Sequence, residues 1–329
     1  MMNENPPEAR FVDSSRSIVP GMKRFAHEAM ATTFEVIVVE EDAQYARQAA
    51  AAAFDEVDRL ERELSRYIEN SDVSRINRLD AGEPLVVGLD TFACLQLAID
   101  LYHETQGLFD VTVGSLLACW QDGEGNSRTP TEAELQDALQ RTGADKIQLY
   151  EADHAVVLSA APMQIDLGGI GKGYAIDSVA RLLRDWSIDA ALLHGGYSSV
   201  LAMDAPPGMD GWPLTFTHPR TGKIVAHLNL ANRAVSGSGV QKGGHIINPR
   251  TGRPVEARVA AWSSTPDATT GDGLSTAFMM MPIKQIEAFC LEYPEAMAAI
   301  IPLADEQGTE QTVLRFGKWD AIADFTSQG

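Results

Sequence analysis

Cysteine is scarce in this chain of 329 residues, which has only three, at Cys94, Cys119 and Cys290. They are far apart, odd in number and form no CxxC pair, so the sequence indicates neither a disulfide framework nor a cysteine-based zinc site. Their neighbours are apolar, which is typical of small buried side chains in a protein from a reducing compartment. We therefore expect these thiols to be structural.

Long apolar runs are also absent. The longest, AFMMMPI, is interrupted by Pro282 and is far shorter than the roughly 20 apolar residues of a membrane-spanning helix. The N-terminus has acidic residues early and lacks the apolar centre of a secretion signal. We therefore expect a cytoplasmic protein without a membrane span.

Positive charge is scarce as well, because 46 Asp and Glu residues outnumber 26 Lys and Arg and give a formal net charge of −20. A nucleic-acid-binding protein normally presents a basic face, so we expect no nucleic-acid partner. An anionic ligand would need local help from lysine side chains, from a glycine-rich backbone or from a divalent cation.

The chain is longer than the size at which a single core usually stops growing, about 250 to 300 residues. It therefore forms one large domain or two closely packed lobes. Residues 1–26 are polar and contain Pro6, Pro7 and Pro20. We predict that they form a flexible N-terminal arm ahead of a domain at 27–329.

Periodicity and composition predict the main elements. Residues 33–40 are β-branched and predict a strand, whereas the alanine-rich stretch 43–64 has its larger apolar residues on one face and predicts a long helix. Thr131 and Glu134 match a capping box that begins a short helix. Further predictions are strands at 146–150, 155–160, 190–194, 296–301 and 312–316, and helices at 91–105, 173–186, 272–281 and 284–292. Because strands and helices do not alternate regularly, we predict an α+β fold rather than a doubly wound sheet.

The stretch DLGGIGKGYAID, residues 166–177, places four glycines and a lysine between a strand-like run and a helix. In such a layout, backbone N–H groups and a helix N-terminus can bind phosphate. The stretch is not a P-loop, because Gly173 follows Lys172 where Ser or Thr belongs, and it is not GxGxxG, because Tyr174 replaces the last glycine. Two interpretations stay open. The glycines pack a helix tightly onto a sheet, or a ligand approaches the backbone here, with Lys172 as its counter-charge and Asp166 as a hydrogen-bond acceptor.

This stretch resembles the DLGGIAKGYAVD signature of the ApbE-like flavin transferases, which move FMN from FAD onto a threonine or serine of a protein. Other segments resemble motifs of that family in the same order along the chain, over about residues 30–281. They are MATT (30–33), LSRYIENSDVSRIN (64–77), GLFDVTVGSL (107–116), AVSGSG (234–239), HIINPRTGRP (245–254) and TTGDGLSTAF (269–278). The resemblance implies an α+β fold with mixed or antiparallel, barrel- or roll-like sheets surrounded by helices. It also implies Mg²⁺-dependent transfer of FMN to an acceptor flavoprotein, with release of AMP.

Asp272 and Thr276 lie four residues apart on a predicted helix, so their side chains share one face. One carboxylate, one hydroxyl and a backbone carbonyl form a sparse oxygen set that Mg²⁺ can complete with water and phosphate oxygens. From the residues alone, an aspartate such as Asp272 would more often be a helix cap. The resemblance implies that Asp272 and Thr276 are metal ligands, together with a backbone oxygen of Gly169. Ser275 is a weaker candidate that would act through a water.

The resemblance also implies which residues contact FAD, although two of them, Met30 and Phe109, could simply be core residues. Apolar and aromatic surfaces would hold the ring systems, and carboxylates would accept hydrogen bonds from the flavin or the sugar. The implied residues are Met30, Tyr67, Leu108, Phe109, Asp110, Asp166, Lys172 and Ile247. Lys172 would also assist catalysis. His245 is the candidate for handling the proton of the attacking hydroxyl, unless it only positions a loop.

Several positions depart from the family pattern, among them Gly271 and Gly273, which weaken the start of a predicted helix. Tyr197 stands where the family has an aspartate after two glycines, Asn248 replaces the aspartate of HIIDP, and Gly171 replaces the alanine before the lysine. Two alternatives to FMN transfer stay open, the first because it would use the same metal and flavin sites, and the second because Tyr197 and Asn248 favour it. In one, the protein is a pyrophosphatase that hydrolyses FAD to FMN and AMP, and in the other it binds FAD without catalysis.

Overall fold

The computed structural model describes residues 12–14 (backbone only), 19, 21–121, 126–239, 246–256, 258–303 and 312–326. Its helices are α1 (Ala43–Leu64), α2 (Asp72–Ile76), α3 (Leu89–Glu104), α4 (Gly114–Cys119), α5 (Glu132–Gln140), α6 (Gly171–Asp185), α7 (Ala268–Phe278) and α8 (Ile283–Glu292). Its strands are β1 (Val12–Ser14), β2 (Met22–Ala29), β3 (Thr32–Val39), β4 (Pro84–Val86), β5 (Ile147–Tyr150), β6 (Ala155–Leu158), β7 (Ala191–Gly195), β8 (Ser199–Ala202), β9 (Trp212–Thr217), β10 (Ile224–Leu230), β11 (Arg233–Gly239), β12 (Arg258–Thr265), β13 (Met297–Pro302), β14 (Leu314–Phe316) and β15 (Ala323–Phe325).

Local sequence signals explain several helix boundaries. Asp42 begins α1 by accepting hydrogen bonds from the N–H groups of Gln44 and Tyr45, because a carboxylate at this position satisfies N–H groups that have no partner within the helix. The capping box of Thr131 and Glu134 is present at the start of α5. The predicted helices and strands each have a counterpart, with ends that differ by a few residues.

The largest sheet has eight strands in the order β14-β13-β12-β11-β8-β7-β3-β2, and all of its neighbours are antiparallel. A second sheet has the order β1-β9-β10-β15, and a third has the order β4-β6-β5. The α+β prediction with antiparallel sheets is confirmed. In the described part of the chain none of these sheets closes into a barrel, because the strands at their two ends do not pair with each other.

The eight-stranded sheet is covered on both faces. Alternate residues of β3 face opposite ways: Val36 and Val38 belong to the core under the helices, and Ile37 belongs to the core against the second sheet. The rings of Phe216 from β9 and Trp262 from β12 stack in that second core, with their centroids 5.0 Å apart. The large sheet is therefore the middle layer of the fold.

Strand β1 and the first part of β2 lie within the segment 1–26 that the sequence assigned to a flexible arm. Strand β2 pairs with β3 from Met22 to Ala29, and β1 pairs with β9. Residues 12–14 and 22–26 thus belong to sheets, because backbone hydrogen bonding holds them there although their composition is polar. The remaining division of the chain at residue 27 stays a prediction. Among the described residues, no helix is both long and apolar enough to cross a membrane.

Candidate functional site

A cavity of about 1080 Å³ lies where the N-terminal end of α6 and the middle of α7 meet the end of α1 and the β2–β3 turn. This volume is slightly above the usual range for small-molecule sites, roughly 300 to 1,000 Å³. The cavity brings together the following predicted site residues: Met30, Tyr67, Leu108, Phe109, Asp110, Asp166, Gly169, Lys172, Ile247, Asp272 and Thr276. His245 lies outside the described residues, so its role stays a prediction.

The glycine turn both packs tightly and lines the cavity. A Cβ on Gly173 would lie 2.2 Å from the carbonyl oxygen of Ala268, so only glycine lets α6 approach the start of α7 this closely. A Cβ on Gly169 would lie 3.3 Å from the ring of Phe109 and 3.5 Å from Thr276 Oγ1. At Gly171, by contrast, a Cβ would meet only Leu167 Cβ, at 3.9 Å. Tight packing and ligand approach are thus compatible, because Gly173 packs α6 against α7 whereas Gly169 lines the cavity.

Asp272 is not a helix cap. Helix α7 begins at Ala268, and its N-cap is Asp267, whose side chain accepts a hydrogen bond from Thr270 N. Asp272 therefore lies inside the helix, with Thr276 one turn further along on the same face. Only 4% of the Asp272 surface is exposed.

Four contacts hold the buried carboxylate of Asp272. Ser199 Oγ donates to Oδ1 at 2.9 Å, and the backbone N–H of Gly173 donates to Oδ2 at 3.2 Å. Lys172 Nζ lies 3.1 Å from Oδ2 and 3.3 Å from Oδ1, and it also donates to the carbonyl of Gly168 at 3.2 Å. The ammonium compensates the negative charge, as a buried carboxylate requires.

The oxygen donors around Asp272 suit a hard cation. The Asp272 carboxylate and the Thr276 hydroxyl both line the cavity, and Gly169 packs against Thr276. In the described ranges there is no group of three or more His, Cys, Asp or Glu residues that could hold a metal. Such an ion would thus depend on a mixed set of one carboxylate, one alcohol and one carbonyl, which fits Mg²⁺ with its usual waters and phosphate oxygens. Ser275 does not line the cavity, since it is fully buried and donates to the Asp272 carbonyl at 2.9 Å.

Asp177, the last residue of the glycine stretch, anchors α7 to α6. Its Oδ1 accepts from Ala268 N at 2.8 Å, and its Oδ2 accepts from Thr269 N at 2.8 Å and from the Thr269 hydroxyl. A carboxylate placed here satisfies N–H groups at the start of α7 and is favoured by the helix dipole. Burial raises the pKa of Asp177, although these hydrogen bonds oppose the rise. Sequence reasoning missed this role, because the partners are 91 and 92 residues apart.

Asp166 and Tyr67 are linked through Arg66, which sequence reasoning also missed. Arg66 Nε lies 3.1 Å from Asp166 Oδ2, and Arg66 Nη2 donates to the hydroxyl of Tyr67 at 2.9 Å. Asp166 Oδ1 accepts from Gly168 N at 2.8 Å, which closes the glycine turn. Tyr67 is 83% exposed, and the Arg66 guanidinium lies over one face of its ring, 4.8 Å from the centroid, so the opposite face can contact a ligand.

Asp110 is a buried carboxylate at the cavity wall. Its Oδ1 accepts from both the N–H and the hydroxyl of Thr112, at 2.8 and 2.6 Å. Burial raises the pKa of Asp110 to about 6, and the two hydrogen bonds from Thr112 oppose this rise. A carboxyl group that titrates so close to neutrality is typical of functional sites.

A separate wall of the cavity is formed by α4 and the loop 246–254. Trp120 lines the cavity and donates from Nε1 to the carbonyl of Gly252 at 2.8 Å. Behind it lies a small hydrophobic cluster of its own, built on Leu116, Leu135, Ala138 and Ile247. We call it the wall cluster. The sequence offered no signal for Trp120 beyond its aromatic character.

Three of the departures from the family pattern, at Tyr197, Asn248 and Gly171, have different settings. Tyr197 lines the cavity. Asn248 is not among the residues that line the cavity. Its Oδ1 accepts a hydrogen bond from Arg250 N at 2.9 Å within the loop. This is a turn interaction that asparagine and aspartate both make. Gly171 has room for the alanine that it replaces.

A large cavity with a glycine turn, a lysine and a buried carboxylate, set in an antiparallel α+β frame, matches a known class of enzyme. The model of the ApbE family matches residues 30–301. The chain therefore belongs to the ApbE family.

Curated relatives carry the name FAD:protein FMN transferase. The relative from Salmonella typhimurium is 27% identical over 295 residues, covering 84% of this chain and 82% of its own. That from Vibrio cholerae is 29% identical over 247 residues, covering 69% and 72%. The predicted family and the predicted enzyme class, a transferase, are confirmed.

Solved structures share the fold. The ApbE protein from Thermotoga maritima has a TM-score of 0.80 at 27% identity, and the flavin transferase ApbE from Vibrio cholerae has a TM-score of 0.80 at 23% identity. Each alignment covers 92% of this chain and 99% of the other. The fold prediction is confirmed.

Proposed function

We propose that this protein transfers FMN from FAD to a serine or threonine hydroxyl of an acceptor flavoprotein and releases AMP. The name of its relatives supports flavin transfer. The observation that carries the proposal is that one cavity gathers the glycine turn, the Lys172–Asp272 pair and the flat apolar side chains predicted to hold a flavin.

Mg²⁺ is the cation we propose for this site, held by Asp272, Thr276 and a backbone oxygen of Gly169. When bound, such an ion supplies charge neutralisation to a diphosphate. Lys172 contributes further positive charge from the start of α6, where the helix N-terminus also favours an anion.

The dinucleotide would be held by surfaces of two kinds. Met30, Phe109 and the exposed ring of Tyr67 offer flat apolar contact to ring systems. Asp110 and Asp166 offer carboxylate oxygens to N–H or O–H donors of the flavin or the sugar. Few polar groups among many apolar ones are the usual composition of a cofactor site.

The reaction that we propose is a phosphoryl transfer. The acceptor hydroxyl oxygen forms a bond to the FMN-side phosphorus, and the bond from that phosphorus to the bridging oxygen breaks as AMP leaves. The hydroxyl proton passes to a base, for which His245 is our candidate. Lys172 stabilises the charge that develops on the phosphate oxygens.

The test is to incubate the protein with FAD and Mg²⁺, with and without an acceptor flavoprotein, and to examine the acceptor by in-gel flavin fluorescence. We expect a fluorescent acceptor with the wild type and none with Asp272→Asn, which keeps the shape of the side chain but removes its charge. Free FMN in the absence of acceptor would instead identify a pyrophosphatase. Retention of intact FAD without turnover at saturating Mg²⁺ would identify a binding protein.

A further inference from the structure

Asp272 and Lys172 form an ion pair in the wall of the cavity. Of the charged side chains that the structure describes, Lys172 is the cation in contact with Asp272. The two side chains are largely buried, with 6% of the Asp272 side chain and 21% of the Lys172 side chain exposed. A pair this sheltered from water is screened little by salt.

The acceptor positions of Asp272 are already in use. A carboxylate offers about four lone-pair sites. Ser199 Oγ and Gly173 N each take one, and the ammonium of Lys172 lies within 3.1 and 3.3 Å of the two oxygens. A divalent cation bound to the same carboxylate would meet the like charge of Lys172 at short range.

We propose that Lys172 is the resident counter-cation of Asp272 and competes with the divalent metal for that carboxylate. This inference rests on the proposed function. Metal binding breaks the ion pair and frees the ammonium of Lys172 for an anion, which in this cavity is the diphosphate. The lysine thus has two successive partners, Asp272 before the metal binds and the substrate afterwards.

Two consequences follow, one for the stability of the metal-free protein and one for ligand binding. The ion pair keeps the Asp272 carboxylate compensated, and removing only one partner of a buried pair is strongly destabilising. Because the metal frees a cation for the anion, metal and diphosphate bind cooperatively, and each raises the affinity for the other by the same factor.

The experiment measures Mn²⁺ affinity in the absence of FAD, by the electron paramagnetic resonance signal of free Mn²⁺. The wild type is compared with Lys172→Met, which keeps the length of the side chain but removes its charge. Since the competitor is gone, we expect Lys172→Met to bind Mn²⁺ at least about tenfold more tightly. Lys172→Arg, which retains the charge, should bind as weakly as the wild type, and Asp272→Asn should lose binding.

A second readout is thermal unfolding with and without Mn²⁺. Lys172→Met should unfold at a lower temperature than the wild type without metal, and the metal should raise its melting temperature by more than it raises that of the wild type. Should Lys172→Met not fold without metal, Lys172→Gln, whose amide can still donate to the Gly168 carbonyl, replaces it in both measurements.

The outcomes separate the inference from the proposed function. Equal or weaker Mn²⁺ binding by the uncharged variants overturns the inference and leaves FMN transfer standing. Tighter binding by these variants supports the inference even if the wild type labels no acceptor, a result that would overturn the proposed function alone. Absence of Mn²⁺ binding in the wild type and in both uncharged variants overturns the inference and the metal site together.

Discussion

Replacing Asp110 by asparagine tests whether the buried carboxylate lowers the stability of the folded protein. The pKa of Asp110 rises from 3.8 to about 6, mainly because the carboxyl group is buried. Since one pH unit corresponds to about 1.4 kcal/mol, ionised Asp110 costs the folded state about 3 kcal/mol. Both hydrogen bonds from Thr112 go to Oδ1, and the carbonyl oxygen of an asparagine can accept both.

The sign of the pH dependence follows from the protons bound in each state. Between pH 3.8 and 6 the folded protein holds a proton on Asp110 that the unfolded chain has lost, so the free energy of unfolding falls as pH rises through this window. Asp110→Asn removes that dependence. Its free energy of unfolding should therefore exceed that of the wild type by up to about 3 kcal/mol at pH 8, and by about half as much at pH 5.

Urea unfolding at pH 8 and pH 5, followed by tryptophan fluorescence, measures both differences. Thr112→Val is a useful control, because it removes the hydroxyl donor to Asp110 and should lower stability more at pH 8 than at pH 5. If Asp110→Asn destabilises the protein, or if its effect is the same at the two pH values, the buried carboxylate does not carry the cost argued here. FAD affinity should fall in the same variant if the carboxylate accepts a hydrogen bond from the substrate.

Three other predictions address positions around the cavity. Gly173→Ala should lower the free energy of unfolding by at least about 2 kcal/mol, since its Cβ would overlap the Ala268 carbonyl. Gly171→Ala, by contrast, should be neutral or stabilising by about 0.5 kcal/mol. If both substitutions changed the free energy of unfolding equally in urea, Gly173 would not be the close contact between α6 and α7. Asn248→Asp should leave acceptor labelling within about twofold of the wild type, because the side chain serves a turn, and a loss of about tenfold would refute this. Asp177→Ala should destabilise by about 2 to 4 kcal/mol in thermal unfolding, because buried donors at the start of α7 lose their acceptor. A change below about 0.5 kcal/mol would show that these N–H groups at the start of α7 find another acceptor.

Elements that depend on local signals were predictable from the sequence. Helix α1 matches the predicted range 43–64, because alanine content, one apolar face and the capping Asp42 all agree. Helix α7 was predicted to start four residues late, at 272, because the two glycines of GDG conceal a helix whose cap is Asp267. The same error made Asp272 look like a possible cap.

Contacts between distant parts of the chain were not predictable from the residues alone. Nothing near Asp177 in the sequence shows that it holds the start of α7, and nothing near Arg66 shows that it faces Asp166. Resemblance to a family supplied the expected ligand set, but it assigned no role to Arg66, which stands at a variable position of a family motif, or to Trp120, which lies outside the motifs. Arg66 and Trp120 came to light only through the fold.

The wall cluster has a consequence for how this protein can diversify. Leu116 and Leu135 pack apart from the main core. The side of the cavity that carries Trp120 is therefore supported by a separate hydrophobic cluster. We expect substitutions there to reshape this wall of the cavity without disturbing α6 and α7, which carry Lys172 and Asp272. Directed evolution toward bulkier substrates or new acceptors should therefore begin with the wall cluster and leave Lys172 and Asp272 unchanged.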